Sequence, residues 1–310
     1  MTKENNMEEK FIEYITKKKK PYIKEIMKEL ELQEYEVYGI IELLKQKGYL
    51  LTINDGRVIK TKPIKENDTY YIQSNLEHIK LLLLSDTHLA SKYDRLDILR
   101  YLYAKAEDNG INYILHSGDF TDGLSNRPQQ LHELKEISYT GQRDYSIEKY
   151  PKSDIPTYIC MGNHDSWWIQ RCGADILRDI CNTRTDLHYL GSDCEDLKIG
   201  KLKIRLYHGK GGSTYAKSYK LQKYLDTIPL EERPHILQTG HIHQSFYYKQ
   251  DKTHCFQTSC LQDLTPFERS QGYNNDKSVW WVDVYTDDKG NPVKITQELE
   301  TFEKKLIKSK

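Results

Sequence analysis

Residues 79–88, IKLLLLSDTH, are the stretch that decides the fold class of this chain of 310 residues. An almost continuous apolar run ends here in hydroxyl, carboxylate and imidazole side chains, a pattern typical of a strand buried on both faces of an α/β protein. Because further apolar segments alternate with helical patterns, we expect a layered α/β domain whose polar strand ends meet at one edge of a sheet. The other predicted strands are 111–116, 157–161, 202–207, 236–238, 278–284 and 293–296, and the predicted helices are 94–106, 174–181 and 216–225.

The first 65 residues follow a different pattern, which predicts a separate small domain. They contain neither His nor Cys, and apolar residues recur at helical spacing around Phe11 and within 23–30 and 37–44. The Asp55-Gly56 pair marks a turn between two short strands. Three helices followed by a hairpin is the order of a winged helix. The predicted boundaries are 1–65 for a winged-helix-like domain, 66–77 for a linker and 78–310 for the main domain.

Composition and charge exclude several classes of protein. No apolar run approaches the roughly 20 residues that a membrane-spanning helix needs, and the charged N-terminus lacks the pattern of a secretory signal, so we expect a cytoplasmic protein without membrane contact. Six cysteines without a Cys-x-x-Cys pair argue against a disulfide framework and a zinc ribbon. The 46 basic and 46 acidic side chains balance, so no global charge favours nucleic acid.

Polar blocks stand after several of the predicted strands and form the candidate site. Oxygen and imidazole donors without cysteine suit divalent Mn, Fe, Zn or Ni. Seven candidate ligands are more than one ion takes from protein while leaving room for substrate. Two ions that share one carboxylate, about 3.5–4 Å apart, fit that number. The blocks are Asp86-Thr87-His88, Gly118-Asp119, Gly162-Asn163-His164-Asp165, His208-Gly209 and Gly240-His241-Ile242-His243.

These five blocks, in this order, resemble the calcineurin-like metallophosphoesterase superfamily over roughly residues 79–284. The resemblance implies a sandwich of two mixed β-sheets flanked by helices. It also implies a dinuclear centre that hydrolyses phosphoesters by in-line attack of a metal-bridging hydroxide, with Mn as the expected metal and Fe, Zn or Ni as alternatives. The ligands that it implies are Asp86, His88, Asp119 and His243 for one ion, and Asp119, Asn163, His208 and His241 for the other.

The resemblance further implies roles for two residues beside the metals. His164 is implied to protonate the leaving group or to support charge in the transition state. Asp165 is implied to orient His164 or its loop. The alternative for Asp165 is a purely structural role, and Trp167 and Trp168 either line the cleft or belong to the core.

The substrate class stays open at this point. Protein serine/threonine phosphatases carry an Arg shortly after the bridging Asp, in a Gly-Asp-x-x-Asp-Arg-Gly run, and here Gly123 occupies that position. Residues 118–165, with Tyr150-Pro151-Lys152, and residues 211–220 also resemble metallophosphoesterases of phages and prophages, which are related to DNA-repair exonucleases. With the predicted winged helix, this favours a nuclease acting on DNA or RNA. The alternatives are a phosphodiesterase for small cyclic or linear nucleotides, with the N-terminal domain used for assembly or regulation, and a non-enzymatic protein with a vestigial site.

Two segments are candidates for determining substrate specificity or for binding a partner. The polar, aromatic insertion at about 124–152 either stands over the metals or forms a solvated surface excursion. The predicted N-terminal domain holds 14 basic and 11 acidic side chains, and its presumed recognition helix carries Glu34, Glu36 and Glu42. Because these glutamates would repel a phosphate backbone, nucleic-acid binding and a protein-interaction or homo-oligomerisation role both remain open for this domain.

Overall fold

The computed structural model describes residues 3–18, 20–46, 51–54, 56–60, 65–66, 69–192, 194–212 and 216–302. The chain divides into two compact units. The first comprises residues 1–75 together with 198–200, and the second comprises residues 76–197 and 201–310. Among the described residues, no helix is both long enough and apolar enough to cross a membrane.

The first unit contains the three helices and the hairpin in the predicted order, although Asp55 of the predicted turn lies outside the described residues. Its own core includes Phe11, Ile26, Val37 and Val58, each 0% exposed. The winged-helix assignment and the predicted boundaries stay predictions. The elements are α1 (Lys3–Lys18), α2 (Ile23–Leu30), α3 (Glu34–Gln46), β1 (Leu51–Asn54), β2 (Arg57–Lys60), β3 (Lys65–Glu66) and β4 (Thr69–Ile72).

The second unit holds the alternating strands and helices that the sequence predicts, and several more. Its strands are β5 (His78–Leu84), β6 (Tyr113–His116), β7 (Thr157–Cys160), β8 (Leu187–Gly191), β9 (Cys194–Ile199, whose last two residues group with the first unit), β10 (Leu202–Tyr207), β11 (Ile236–Thr239), β12 (Phe246–Gln250), β13 (Thr253–Gln257), β14 (Lys277–Thr286) and β15 (Pro292–Phe302). Its helices are α4 (Leu96–Asp108), α5 (Tyr139–Lys149), α6 (Asn163–Cys172), α7 (Ile176–Thr183), α8 (Tyr219–Asp226) and α9 (Pro266–Ser270), with a 3₁₀ turn at Pro128–His132.

Two mixed sheets form the body of the second unit. One has the order β15-β14-β5-β6-β7-β8, in which β5 to β8 run parallel and β14 is antiparallel to both of its neighbours. The other contains β12-β13-β11-β10-β9, in which β10, β11 and β13 run parallel. Helices flank these sheets, which confirms the predicted α/β class and the two-sheet sandwich.

The apolar run that opens the domain is a central strand. Leu81 to Leu84 of β5 are all 0% exposed, so both faces of the strand are buried. Leu82 and Leu84 pack in one core cluster with Ile98 of α4 and Ile176 of α7. Because β5, β6 and β7 run parallel, their carboxyl ends meet at one edge, and the predicted polar blocks follow those ends.

A partly buried ion pair on β9 and β10 makes the stability of this fold depend on pH. Asp196 accepts from Arg205 Nε at 2.5 Å and Nη2 at 2.9 Å, and Lys203 Nζ lies 3.1 Å away. Burial raises the pKa of Asp196, but the hydrogen bond and charge of Arg205, followed by those of Lys203, outweigh burial and lower it overall. A depressed folded-state pKa stabilises the protein above the unfolded value of about 4, and the gain is lost as pH falls through the folded value.

We therefore expect Asp196→Asn to lower the free energy of unfolding by about 2 kcal/mol at pH 7. The difference from wild type should shrink as the pH falls below about 4. Urea unfolding at pH 7 and at a pH below about 4 measures this difference in the free energy of unfolding. The control is Asp144→Asn, because Asp144 is 63% exposed and its pair with Arg143 should contribute little. A constant difference across this pH range would contradict the assignment.

Candidate metal centre

The structure brings four of the predicted ligands together after β5, β6 and β11, and we call this cluster site A: Asp86, His88, Asp119 and His243. His243 Nε2 lies 3.3 Å from Asp86 Oδ1 and 3.2 Å from His88 Nε2. His88 Nε2 is 3.8 Å from Asp86 Oδ1 and 3.9 Å from Asp119 Oδ2. Ligand atoms of Asp86, His88 and His243 all lie within 4.8 Å of one another, close enough to share one metal ion.

The other predicted ligands meet around Asn163 and share Asp119 with site A, and we call this cluster site B: Asp119, Asn163, His208 and His241. His208 Nε2 lies 3.1 Å from Asp119 Oδ2 and 3.0 Å from Asn163 Oδ1. His241 Nδ1 lies 2.8 Å from the same Asn163 oxygen. All seven residues predicted as ligands are therefore gathered in one place, with Asp119 in both clusters.

The hydrogen bonds of the site B imidazoles fix which nitrogen is free to bind a metal. His208 Nδ1 lies 2.8 Å from the carbonyl of Ser117, and His241 Nε2 lies 3.0 Å from the carbonyl of Gly211. Because a carbonyl only accepts, both nitrogens carry their protons there. His208 Nε2 and His241 Nδ1 therefore both point at Asn163 Oδ1, and His208 Nε2 also points at Asp119 Oδ2. Two imidazole nitrogens that converge on an amide oxygen and a carboxylate form a donor set that fits a divalent ion.

The two carboxylates at the centre are deeply buried. Asp86 is 0% exposed and Asp119 is 1% exposed, and the ion pairs that the described residues give them are with histidines alone. Burial raises the pKa of Asp86, but the hydrogen bond from His243 and the charge of His208 bring it to about 2. Burial likewise raises the pKa of Asp119, and the charges of His208 and His164 hold it well below its usual value. Both groups are ionised at neutral pH, as metal ligands must be.

The backbone at the ligands is strained. Five of the seven adopt left-handed conformations: Asp86, His88, Asp119, His241 and His243, with φ between +44° and +77°. For residues with a Cβ, such a conformation costs about 1–2 kcal/mol each and persists only where the surroundings enforce it. Strain concentrated on these residues indicates a site built for function.

Two glycines allow the ligand loops to approach one another. A Cβ at Gly162 would lie 2.1 Å from the backbone nitrogen of Asp119 and 2.2 Å from its Oδ1. A Cβ at Gly240 would lie 2.4 Å from Asp86 Oδ2 and 2.1 Å from Ser85 Oγ. None of these four distances is compatible with a Cβ atom. Gly162 and Gly240, the residues before Asn163 and His241, are therefore needed for the close contact between the ligand loops.

His164 lies beside both clusters, at the start of α6. Its backbone N–H donates to Asp119 Oδ1 at 2.8 Å, its Nδ1–H donates to the carbonyl of Asp122 at 2.7 Å, and its Nε2 is 3.9 Å from Asp119 Oδ2. Its ring lies 4.5 Å from that of His88 and 4.0 Å from that of Trp167. Burial lowers the pKa of His164 to about 4. The Nδ1 hydrogen bond therefore fixes the ring, the backbone hydrogen bond fixes the residue beside Asp119, and Nε2 faces the two clusters.

Asp165 makes its contacts with the loop after β6. It is 0% exposed and accepts from the backbone N–H groups of Phe120, Thr121 and Gly162 at 2.8–3.1 Å, and from the hydroxyl of Thr121 at 2.8 Å. These four donors lie in the loop and at the start of α6, away from the ring of His164. The contacts tie the start of α6, which carries His164, to the loop that carries Asp119, and the role predicted for Asp165 stays a prediction.

Two carboxylates that the sequence reasoning missed stand behind the ligands. Glu268 Oε1 lies 2.7 Å from His243 Nδ1, and Asp122 Oδ1 lies 3.1 Å from His88 Nδ1. The His88 contact is poorly aligned for a hydrogen bond. Thr265-Pro266-Phe267-Glu268 is a capping box that could have been recognised as a helix start, but nothing in the sequence connects that helix with His243.

A cleft of about 950 Å³ opens beside the clusters. Trp167 lines it, whereas Trp168 is 4% exposed and belongs to the core. The segment predicted as an insertion contributes Ser125, Asn126 and Arg127 to the lining, while its helix α5 packs against α7 and the core. The guanidinium of Arg127 lies 3.8 Å from the ring centroid of Phe267. The loop after β10 adds Lys210 and Lys217, and the first turn of α8 adds Lys220.

A buried cluster of carboxylates and imidazoles at the strand ends of a two-sheet sandwich is a donor set suited to divalent metal ions. Residues 79–260 match the description "Calcineurin-like phosphoesterase superfamily domain", and the chain belongs to this superfamily. The resemblance inferred from the five polar blocks is thus confirmed at the level of the superfamily.

Two curated relatives are DNA polymerase II small subunits. The protein from Thermoplasma acidophilum is 22% identical over 285 residues, which cover 78% of this chain and 56% of that protein. The protein from Methanothermobacter thermautotrophicus is 21% identical over 259 residues, which cover 69% and 54%. The chain therefore spans about half the length of the curated relatives it matches.

Solved structures with a similar fold include phosphoesterases. A novel archaeal phosphodiesterase has a TM-score of 0.43 at 16% identity, covering 72% of this chain and 100% of that chain. The phosphoesterase Yfce from E. coli has a TM-score of 0.38 at 14% identity, covering 70% and 98%.

The close approach at Gly162 gives a direct test of the site. We expect Gly162→Ala to push the Asp119 loop away and to weaken Mn²⁺ binding at least tenfold, because overpacking of this kind costs about 1–3 kcal/mol. Equilibrium dialysis with metal analysis measures the loss. Gly212→Ala is the matched control in the same cleft, since a Cβ there meets nothing within 4 Å. Unchanged Mn²⁺ binding in Gly162→Ala would show that the two loops do not approach one another this closely.

Proposed function

We propose that this chain hydrolyses phosphodiester bonds in DNA or RNA, with two divalent ions held at sites A and B. The cleft beside the seven candidate ligands carries this proposal. Its volume of about 950 Å³ is at the upper end of the range for sites that enclose a small ligand, about 300–1,000 Å³. Arg127, Lys210, Lys217 and Lys220 line the cleft, and such cationic side chains suit the phosphates of consecutive nucleotides.

The relatives support a nucleic-acid substrate. Two curated relatives are named as small subunits of a DNA polymerase. The resemblance to phage and prophage metallophosphoesterases, and the winged-helix prediction for residues 1–65, favour the same substrate class. A small cyclic or linear nucleotide remains the alternative that the experiments below must exclude.

The surface of α3 does not support a role for that helix in reading a nucleic-acid groove. Its exposed side chains include Glu34, Glu42, Tyr35 and Leu43, and Tyr35 is 74% exposed. Acidic and apolar groups suit a protein partner better than a phosphate backbone. We therefore propose the nucleic-acid contact at the cleft, and a protein contact for α3.

The roles of the residues follow from their contacts. Divalent ions bound at sites A and B supply Lewis acidity toward a phosphate oxygen and lower the pKa of a bound water. Asp86 and Asp119 are kept ionised to hold them, and Asp165 fixes the loop that carries Asp119. His164 keeps its Nδ1 proton on the carbonyl of Asp122, and its lowered pKa leaves Nε2 unprotonated at neutral pH, so Nε2 can take up the proton that the attacking water releases and pass it to the departing oxygen.

Arg127 is proposed to bind a substrate phosphate from the wall of the cleft. Its guanidinium packs on Phe267, and its ion pair with Glu133 is a long one, 3.5 Å from Nη2 to Oε2. Stacking on Phe267 therefore fixes the guanidinium of Arg127, and its N–H groups can still donate to a ligand. A planar guanidinium can bind two phosphate oxygens at once. It would replace the Arg that is absent at Gly123.

The first experiment measures turnover of single- and double-stranded DNA, RNA and cyclic nucleotides by the full chain with Mn²⁺. We expect polymer cleavage, and a loss of about 1,000-fold in Asp119→Asn, because the shared carboxylate supports several kcal/mol of metal-dependent stabilisation. Hydrolysis of cyclic nucleotides without polymer cleavage would favour the small-nucleotide alternative. The absence of both metal uptake and turnover would favour a vestigial site.

The second experiment tests Arg127. We expect Arg127→Ala to lower kcat/KM for the cleaved substrate by about 10- to 100-fold, since a charged hydrogen bond contributes about 1.5–3 kcal/mol. Arg143→Ala is the matched control from the same segment, because Arg143 pairs with Asp144 and does not line the cleft. Equal kinetics in the two variants would contradict the role proposed for Arg127.

A further inference from the structure

The imidazoles of site A are backed by carboxylates. His243 Nδ1 lies 2.7 Å from Glu268 Oε1, and His88 Nδ1 lies 3.1 Å from Asp122 Oδ1. Glu268 is 6% exposed and Asp122 is 5% exposed, so bulk water screens neither charge well. A carboxylate that accepts the Nδ1 proton, as Glu268 does for His243, holds the ring and makes Nε2 a stronger ligand, whereas the poorly aligned Asp122 contributes its charge beside His88.

The imidazoles of site B are backed by neutral groups. His208 Nδ1 donates to the carbonyl of Ser117, and His241 Nε2 donates to the carbonyl of Gly211. The remaining ligand that belongs to site B alone is the amide of Asn163, whereas the corresponding ligand of site A is the carboxylate of Asp86. Apart from the shared Asp119, the imidazole rings of site A contact three carboxylates, those of Asp86, Asp122 and Glu268, whereas site B meets one of them only through the backbone N–H of His241, which donates to Asp86.

We propose that sites A and B differ in affinity, that site A takes the first divalent ion, and that Glu268 is the positioning residue that establishes this order. Metal affinity rises with the negative charge around a site and with the basicity of its ligands. Both factors favour site A. The inference rests on the proposed dinuclear function and adds to it an order of loading and a residue responsible for that order.

Glu268 is built to hold His243 through the start of α9. The backbone N–H of Thr265 donates to Glu268 Oε2 at 2.8 Å, and the backbone N–H of Glu268 donates to Thr265 Oγ1 at 3.2 Å. One carboxylate thus serves two donors, the helix cap with one oxygen and the imidazole with the other. The capping box fixes the carboxylate, and the carboxylate fixes the ring.

Glutamine in place of Glu268 keeps the shape of the side chain but cannot accept from both donors. Its amide has one oxygen, so it can accept from Thr265 or from His243, but not from both. If the oxygen stays on the cap, the NH₂ group faces His243 Nδ1 and drives the ring proton to Nε2. That proton occupies the lone pair that would bind the metal. Because glutamine is also accepted in capping boxes, we expect Glu268→Gln to keep the fold.

The experiment titrates the chelator-treated full chain with Mn²⁺, following free Mn²⁺ by electron paramagnetic resonance and heat by calorimetry. In wild type we expect two ions, the first bound about tenfold or more tightly than the second. In Glu268→Gln we expect the first dissociation constant to rise by about 10- to 100-fold, and the second to change by less than about threefold. The apo melting temperature shows that the variant is folded.

Three further variants assign the effect. Glu133→Gln removes a carboxylate that lines the same cleft and pairs with Arg127 instead of a ligand, and it should leave both constants within about twofold of wild type. His241→Ala should lose the second ion and keep the first. Asp122→Asn should weaken the first ion selectively, and it decides the question if Glu268→Gln does not fold.

The outcomes separate this inference from the proposed function. A wild-type chain that takes up fewer than two ions would overturn the dinuclear function itself. Two ions of equal affinity, or Glu268→Gln with constants equal to those of Glu133→Gln, would overturn the order of loading while leaving the dinuclear function intact. Loss of the first ion in His241→Ala would reverse the assignment of the tight site.

Discussion

The burial of two ionised carboxylates, Asp86 and Asp119, beside imidazoles is the constraint on which the rest of the structure depends. Removing a charge from water costs several kcal/mol even after the protein relaxes, so each carboxylate must find compensation within its own site. Among the described residues, that compensation comes from histidines and from backbone N–H groups such as that of His164, and no lysine or arginine nitrogen is paired with either carboxylate. Divalent ions held between the imidazoles and the two carboxylates would complete that compensation, which fits the membership of the chain in the calcineurin-like phosphoesterase superfamily.

This constraint explains why the strand ends are tied together. Gln238 of β11, which is 0% exposed, donates from Nε2 to the carbonyls of Leu84 and Leu115 at 2.9 and 3.1 Å, so it joins one sheet to the carboxyl ends of β5 and β6 in the other. The left-handed conformations of the ligands are unfavourable in isolation, and they persist because both sheets and the neighbouring glycines hold the loops in place. Strain, close approach and buried charge are therefore parts of one arrangement.

The predicted elements with a clear apolar period were found close to their expected positions. The strand predicted at 202–207 is β10 without a shift, and the one predicted at 79–85 is β5 at His78–Leu84. The helix α6 was not predicted, because its first residues, Asn163 to Asp165, are polar and are typical of a loop. The hairpin of β12 and β13 was also missed, since β12 carries Lys249 and polar neighbours and is only partly buried. α6, β12 and β13 form because tertiary contacts bury part of each element, and the local pattern of apolar residues does not show that burial.

The sequence by itself determined the identity and order of the ligand blocks, because a strand that is apolar throughout and ends in Asp or His has few alternative interpretations. Only the tertiary structure decided which nitrogen of each imidazole faces the metal, that Asp165 contacts the loop, and that Trp167 lines the cleft while Trp168 packs in the core. It alone placed Glu268 behind His243, and His243 beside Asp86, which is 157 positions earlier in the chain. The physical reason is that hydrogen-bond partners and electrostatic neighbours are set by contacts between distant segments, and no local spacing encodes the direction in which a buried proton points.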